Sequence, residues 1–253
     1  MRKTLSIAKF EFKIQCKKIS GWLVFLFAFI VAMADDFPSA VNLDRLEFLS
    51  IPSYFIQRTV AIPGLMLLFG LMFVASNCIR GDSKAGLRDL FMASPISKNN
   101  YIFGKLTGGF LYILFIVVLF LAINTLIYAI ALPAQASFIQ YISAFSTILF
   151  CVIIPTCFFV VACSVLISTI LDIRIYYLLI SVLFIMNALT VGSASNNPFY
   201  LITHGDLSKL VWHHPEFPMP TYDSMVMNLV FMLGVGIIAI ALIYGKRNFW
   251  RNT

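Results

Sequence analysis

The side chains that most often do chemistry are few in this chain and poorly placed for it. The three histidines, His204, His213 and His214, stand in one stretch with Asp206 and Glu216. Imidazoles and carboxylates can ligate a metal, but an irregular loop gives these no shared helical register, so a solvated face is the simpler expectation and no metal site is assigned. Gly192-Ser193-Ala194-Ser195 offers hydroxyls, yet no histidine lies in any apolar stretch to activate one as a nucleophile. The five cysteines are Cys16, Cys78, Cys151, Cys157 and Cys163; Cys151 and Cys157 are six apart, which puts them on different helix faces, and small apolar fillers are expected. Gly104-Lys105-Leu106 lacks the first glycine and the hydroxyl of a P-loop, so the chain does not hydrolyse ATP in that manner and carries no catalytic residue.

What remains is a charged island, Arg80 to Lys105, between apolar stretches of membrane length. Leu87, Leu90 and Phe91 recur at i, i+3 and i+4, with Lys84 and Arg88 on another side, which predicts a short surface helix. Ser94-Pro95 stops it, because proline lacks an N–H and disfavours helical geometry in the residue before it. A second charged element opens the chain. Lys9, Lys13 and Lys17 form a basic stripe at i, i+4, i+8, flanked by Phe10 and Ile14 on one side and Leu5, Phe12 and Cys16 on the other. Such a helix lies at a membrane surface with its lysines reaching to phosphates.

The elements that must carry these segments are apolar. Hydrophobic residues make up 60% and charged residues 11%, against roughly 25% charged in soluble domains. From Leu106 to Leu171 no Asp, Glu, Lys, Arg or His occurs in 66 residues, and one helical crossing needs only about 20. The class expected is an all-α polytopic helix bundle in a single transmembrane domain, 1–253, with an interfacial helix at 1–18, a cytoplasmic segment at 80–105 and an outer loop at 193–223. Six spans are expected, about 19–34, 59–79, 108–132, 138–171, 173–192 and 224–244. The turn between the third and fourth falls at Ala131 to Gln135, and Pro155 predicts a kink or break in the fourth. Ala32-Met33-Ala34 before Asp35 is similar to a signal-peptide cleavage site, but the basic stretch ahead of it is long, so an uncleaved first span is expected.

Orientation follows from Lys and Arg. With both termini in the cytoplasm, 15 of the 18 fall on that side, and only Arg45, Arg58 and Lys209 on the other. The net charge of +7 is thus a topology signal; nucleic acid is excluded as a partner because the basic residues are dispersed over juxtamembrane segments. Span interiors carry neutral polar residues, and Asn124, Thr156, Asn187 and Asn228 are candidates to line a path for an amphiphile or to hydrogen-bond between helices. No acid or histidine sits at mid-span, as ion-coupled carriers require, so the energy for any transport comes from outside the chain.

The order of interfacial basic helix, span, outer loop, span, short cytoplasmic helix and four further spans resembles the permease subunit of ABC transporters of the type-2 exporter family. The resemblance covers essentially the whole chain. Its most specific part is Asp82 to Lys105, similar to the pattern acidic-x-x-x-G-[TS]-x-x-x-L-x-x-[ST]-P-[IV]-[ST] followed by G-K, with matches at Asp82, Gly86, Leu90, Ser94, Pro95, Ile96, Ser97, Gly104 and Lys105. Leu87 stands where the family carries a hydroxyl. Ile7-Ala8-Lys9-Phe10-Glu11-Phe12-Lys13 and Asn197-Pro198-Phe199-Tyr200 are similar to the family's opening and to its segment before the last span.

The resemblance implies that Asp82, Gly86, Leu87, Arg88, Leu90, Phe91, Ser94 and Pro95 form a coupling helix that docks on a separate soluble P-loop ATPase, present in two copies. ATP and Mg would sit on that partner, with no cofactor on this chain. The helix bearing Lys9, Glu11, Lys13 and Lys17 would transmit the same movement, and a second permease copy, identical or paralogous, would complete the path. The family does not fix a substrate. Neutral span interiors and 25 phenylalanines suit an amphipathic or hydrophobic one, with peptide or toxin export or self-immunity first and a lipid or drug exporter next. A membrane scaffold or an intramembrane enzyme remains the alternative class.

Overall fold

The computed structural model describes residues 2–35, 37, 51–76, 78–84, 96–131, 137–189 and 222–245. Among these every regular element is helical and no strand occurs. The helices, in chain order, are α1 (Arg2–Lys17), α2 (Ile19–Asp35), α3 (Pro52–Ala75), α4 (Cys78–Lys84), α5 (Lys98–Ala131), α6 (Phe138–Ile170), α7 (Ile173–Leu189) and α8 (Tyr222–Gly245).

Among the described residues four helices are individually long and apolar enough to cross a membrane: α3, α5, α6 and the Val226–Ile243 stretch of α8. The pair α1 and α2 passes the same test only jointly, and it bends by 61° at Lys18, which raises the number of candidate crossings to five. Helix α7 is apolar but has only 17 residues. A membrane-compatible helical bundle is therefore what the described chain defines.

Helix boundaries follow local chemistry. Pro52 starts α3 seven residues before the expected span, because a proline in the first turn gives up an N–H that would be unpaired anyway. At the start of α6 the Gln140 side chain accepts from the Ser137 backbone N–H at 2.9 Å, and at the start of α7 Asp172 Oδ1 accepts from the Arg174 N–H at 2.8 Å. Helix α6 has the irregularity expected near Pro155. It widens into π-helical geometry over Leu149–Ile153, just before the proline, and again over Ala162–Ile167. The missing N–H and the ring's clash with the preceding turn explain the first of these; the second has no proline. Helix α5 starts at Lys98, ten residues ahead of the span expected at 108–132, so Lys98 to Lys105 of the charged island belong to it, as Arg80 to Lys84 belong to α4.

The core lies where α3 and α5 meet α2, α6 and α7. Phe55 and Tyr128 stack with ring centroids 3.8 Å apart, and Ile56, Leu67, Leu71, Met72, Ile113, Ile116 and Phe120 are buried farther along the same two helices. Polar cross-links pin α3 to its neighbours. Ser168 Oγ donates to the Ser76 carbonyl at 2.9 Å, and the Tyr176 hydroxyl donates to the Met72 carbonyl at 3.3 Å. In an apolar surround such bonds fix register, because neither partner has water as an alternative.

Candidate functional site: a buried ion cluster where three helices meet

Helix α1 meets α5 through two glycines. A Cβ on Gly104 would lie 2.7 Å from Ile7 Cβ, and one on Gly108 would lie 2.7 Å from both the Ala8 carbonyl oxygen and Glu11 Cβ. Gly104-x-x-x-Gly108 is the small-residue spacing that lets two helix backbones approach closely. The face of α1 turned inward is Ile7, Ala8, Glu11 and Gln15, all buried, while Lys9, Lys13 and Lys17 are exposed on the other side. The amphipathic helix expected from sequence is therefore present, and its hidden face carries an acid.

That acid meets a lysine. Lys105 of α5 forms ion pairs with Glu11 Oε2 of α1 and with Asp82 Oδ2 of α4, the second at 2.6 Å. Lys105 is 3% exposed, Glu11 1% and Asp82 8%. Neutral donors complete the cluster: the Tyr101 hydroxyl gives to Asp82 Oδ2 at 2.7 Å, Cys78 Sγ to Glu11 Oε1 at 2.9 Å, and Gln15 Nε2 to Glu11 Oε1 at 2.5 Å. Two carboxylates and one ammonium would leave an excess negative charge, and these three donors spread it over hydrogen bonds.

Burial by itself raises the Glu11 carboxyl, but the Lys105 ammonium and the hydrogen bonds from Cys78, Lys105 and Gln15 outweigh it and hold the group below its ordinary value. The linkage has a definite sign. Between the lowered native value and the ordinary one the unfolded chain binds more protons, so stability falls as pH falls through that interval. Thermal midpoints measured from pH 7 to pH 3 are expected to stay level until the ordinary carboxyl range and then drop. In Glu11→Gln the drop is expected to be shallower; an identical slope would remove Glu11 from the linkage.

The sequence had assigned Glu11 to the interfacial helix and Asp82 to the coupling segment; the fold brings both onto Lys105. Gly86, Leu87, Arg88, Leu90, Phe91, Ser94 and Pro95 lie outside the described residues, as do the three histidines, residues 193–221 of the expected outer loop and the Ala131–Gln135 turn beyond Ala131 itself, while 222 and 223 already belong to α8. Sequence reasoning missed Gln15, Cys78 and Tyr101 as partners. Cys78 had passed as an apolar filler. The signals available were the lone acid on a basic helix and the Gly104-x-x-x-Gly108 spacing in the same stretch as Lys105.

Asn124, Thr156, Asn187 and Asn228 are all buried, on α5, α6, α7 and α8 respectively. Asn124 donates to the Phe120 carbonyl at 2.8 Å, Thr156 to Val152 at 2.7 Å and Asn187 to Leu183 at 2.9 Å, so three of the four return a donor to their own helix. Thr156 also reaches Met232 Sδ of α8 at 3.6 Å. Among the described residues no group of three metal-ligating side chains has the geometry to hold an ion.

Fold and site together define a membrane-compatible helical protein with a buried ion cluster at the charged end of α5. No known protein family, characterised protein or solved structure matches the chain.

Proposed function

We propose that this chain is the permease subunit of an ATP-driven exporter of the ABC type-2 kind, energised by a separate soluble P-loop ATPase. The observation that supports this reading best is the Lys105 cluster. It ties together α1, α4 and α5, and the last two of these flank residues 85–95, where the resemblance puts the coupling helix. A push on that segment from the cytoplasm would reach α5 directly and α1 through Glu11. The bundle would then act as a two-state element whose bias is set by ATP on the partner.

In this reading the chain crosses the membrane six times with both termini in the cytoplasm, α1 lies along the inner surface, and α7 is a short fifth span. A second permease copy shares the path. The substrate is amphipathic or hydrophobic, a peptide or toxin in first place, because the span interiors offer neutral hydrogen-bonding groups without fixed charge.

The test is co-purification with the P-loop ATPase encoded beside this chain, followed by ATP hydrolysis in the complex. Leu87→Asp puts a charge on the apolar side of the expected coupling helix and is expected to lose the ATPase while leaving the permease folded. Retention of the partner by Leu87→Asp would reject the coupling assignment. Failure to find any P-loop partner would favour the scaffold or enzyme class.

A further inference from the structure

Outside the ion cluster, α1 and α5 enclose a second feature. A groove of about 610 Å³ opens between them, lined on α1 by Leu5, Ala8, Lys9 and Phe12 and on α5 by Leu111, Leu114, Phe115 and Val118. Each set repeats at i, i+3, i+4, i+7, so each forms a single stripe along its helix. The rings of Phe12 and Phe115 meet edge to face with centroids 5.8 Å apart. Leu5, Leu111 and Phe115 are each more than two-fifths exposed, which leaves an apolar trough open to the surround. Lys9 is the single polar residue in the lining.

We propose that this groove is a binding site for an anionic phospholipid, with one acyl chain along the α5 stripe and the phosphate on Lys9. Two observations and the chemistry that joins them carry it. The α5 stripe runs from Leu111 to Val118, about 10 Å at 1.5 Å per residue, and lies within the uncharged part of a helix of membrane-spanning character. Lys9 belongs to the exposed basic face that also carries Lys13 and Lys17, so the positive charge lies at one edge of an otherwise apolar trough. An ammonium beside a hydrocarbon slot complements a phosphodiester with an attached acyl chain and offers nothing to a soluble apolar ligand. A lipid held here would also brace α1 against α5 along one flank of the contact that carries Ala8 and Glu11. The inference rests on membrane embedding but requires no ATPase partner.

The experiment is native mass spectrometry of the detergent-purified chain after incubation with an equimolar mixture of dioleoyl phosphatidylglycerol and dioleoyl phosphatidylcholine. Wild type is expected to retain the anionic lipid about fivefold over the neutral one, the scale of one lysine near an anionic headgroup. Lys9→Glu is expected to abolish that preference and Lys17→Glu, on the same face but outside the groove, to keep it. Leu111→Trp, which adds bulk to the trough from an exposed position, is expected to lower retention of both lipids. Equal retention by wild type, or equal loss in Lys9→Glu and Lys17→Glu, would overturn the site and leave only unspecific surface attraction. A chain that stays soluble without detergent and carries no lipid would instead reject membrane embedding itself.

Discussion

Lys105→Met is expected to be the most damaging single substitution in the described chain. The ammonium it removes is the counter-charge for both Glu11 and Asp82, which are 1% and 8% exposed. Tyr101, Cys78 and Gln15 would remain as donors, but none carries charge, and two buried carboxylates would face each other. Breaking a buried ion pair by removing one partner costs about 3–5 kcal/mol, a large share of the roughly 5–15 kcal/mol that separates folded from unfolded chains. The thermal midpoint of the detergent-purified protein is expected to fall on the order of 10 °C. Replacing all three charges together, Lys105→Met with Glu11→Gln and Asp82→Asn, is expected to recover much of the loss, since a matched neutral cluster leaves no uncompensated ion. A midpoint for Lys105→Met within a degree of wild type would mean that the cluster does not clamp the three helices.

Gly108→Ala should separate two effects that usually run together. In an ordinary helix interior, glycine to alanine stabilises by about 1 kcal/mol. At Gly108 the new methyl would sit 2.7 Å from the Ala8 carbonyl oxygen, a backbone atom that moves only if α1 moves. The expected sign is therefore reversed, with a loss of about 1–3 kcal/mol from overpacking. Displacement of α1 also pulls Glu11 from Lys105, so the loss is expected to be less than additive with Glu11→Gln. Gly234→Ala on α8 is the matched control, because nothing lies within 4 Å of its added Cβ, and it is expected to be neutral or mildly stabilising. If Gly108→Ala and Gly234→Ala shifted the midpoint equally, the close approach of α1 to α5 would be wrong.

The sequence by itself determined the helical class, most helix positions and the irregularity near Pro155. These depend on local rules: the length of an apolar run sets a helix that can cross a membrane, and proline removes a donor wherever it falls. The expected first, fourth and sixth spans lie within two residues of α2, α6 and α8 at each end. Where charge marked the start of an expected span, as in α5, the helix itself begins ten residues earlier. A charged residue was taken to end the apolar helix, whereas Lys105 continues it because its charge is paired inside the protein.

Only the tertiary structure decided what Glu11, Asp82 and Lys105 do. Their residue types were visible, and each had been noted for a separate reason, but 94 residues separate Glu11 from Lys105. No periodicity along one helix reports that distance. It is set by the two glycines that let α1 lie against α5, and by the short α4 that turns Asp82 inward. The same contact turned the basic stripe of α1 outward and opened the groove beside Lys9. A helix wheel shows that α1 has two faces, but which face is hidden depends on what the other helix presents, and that is a property of the pair.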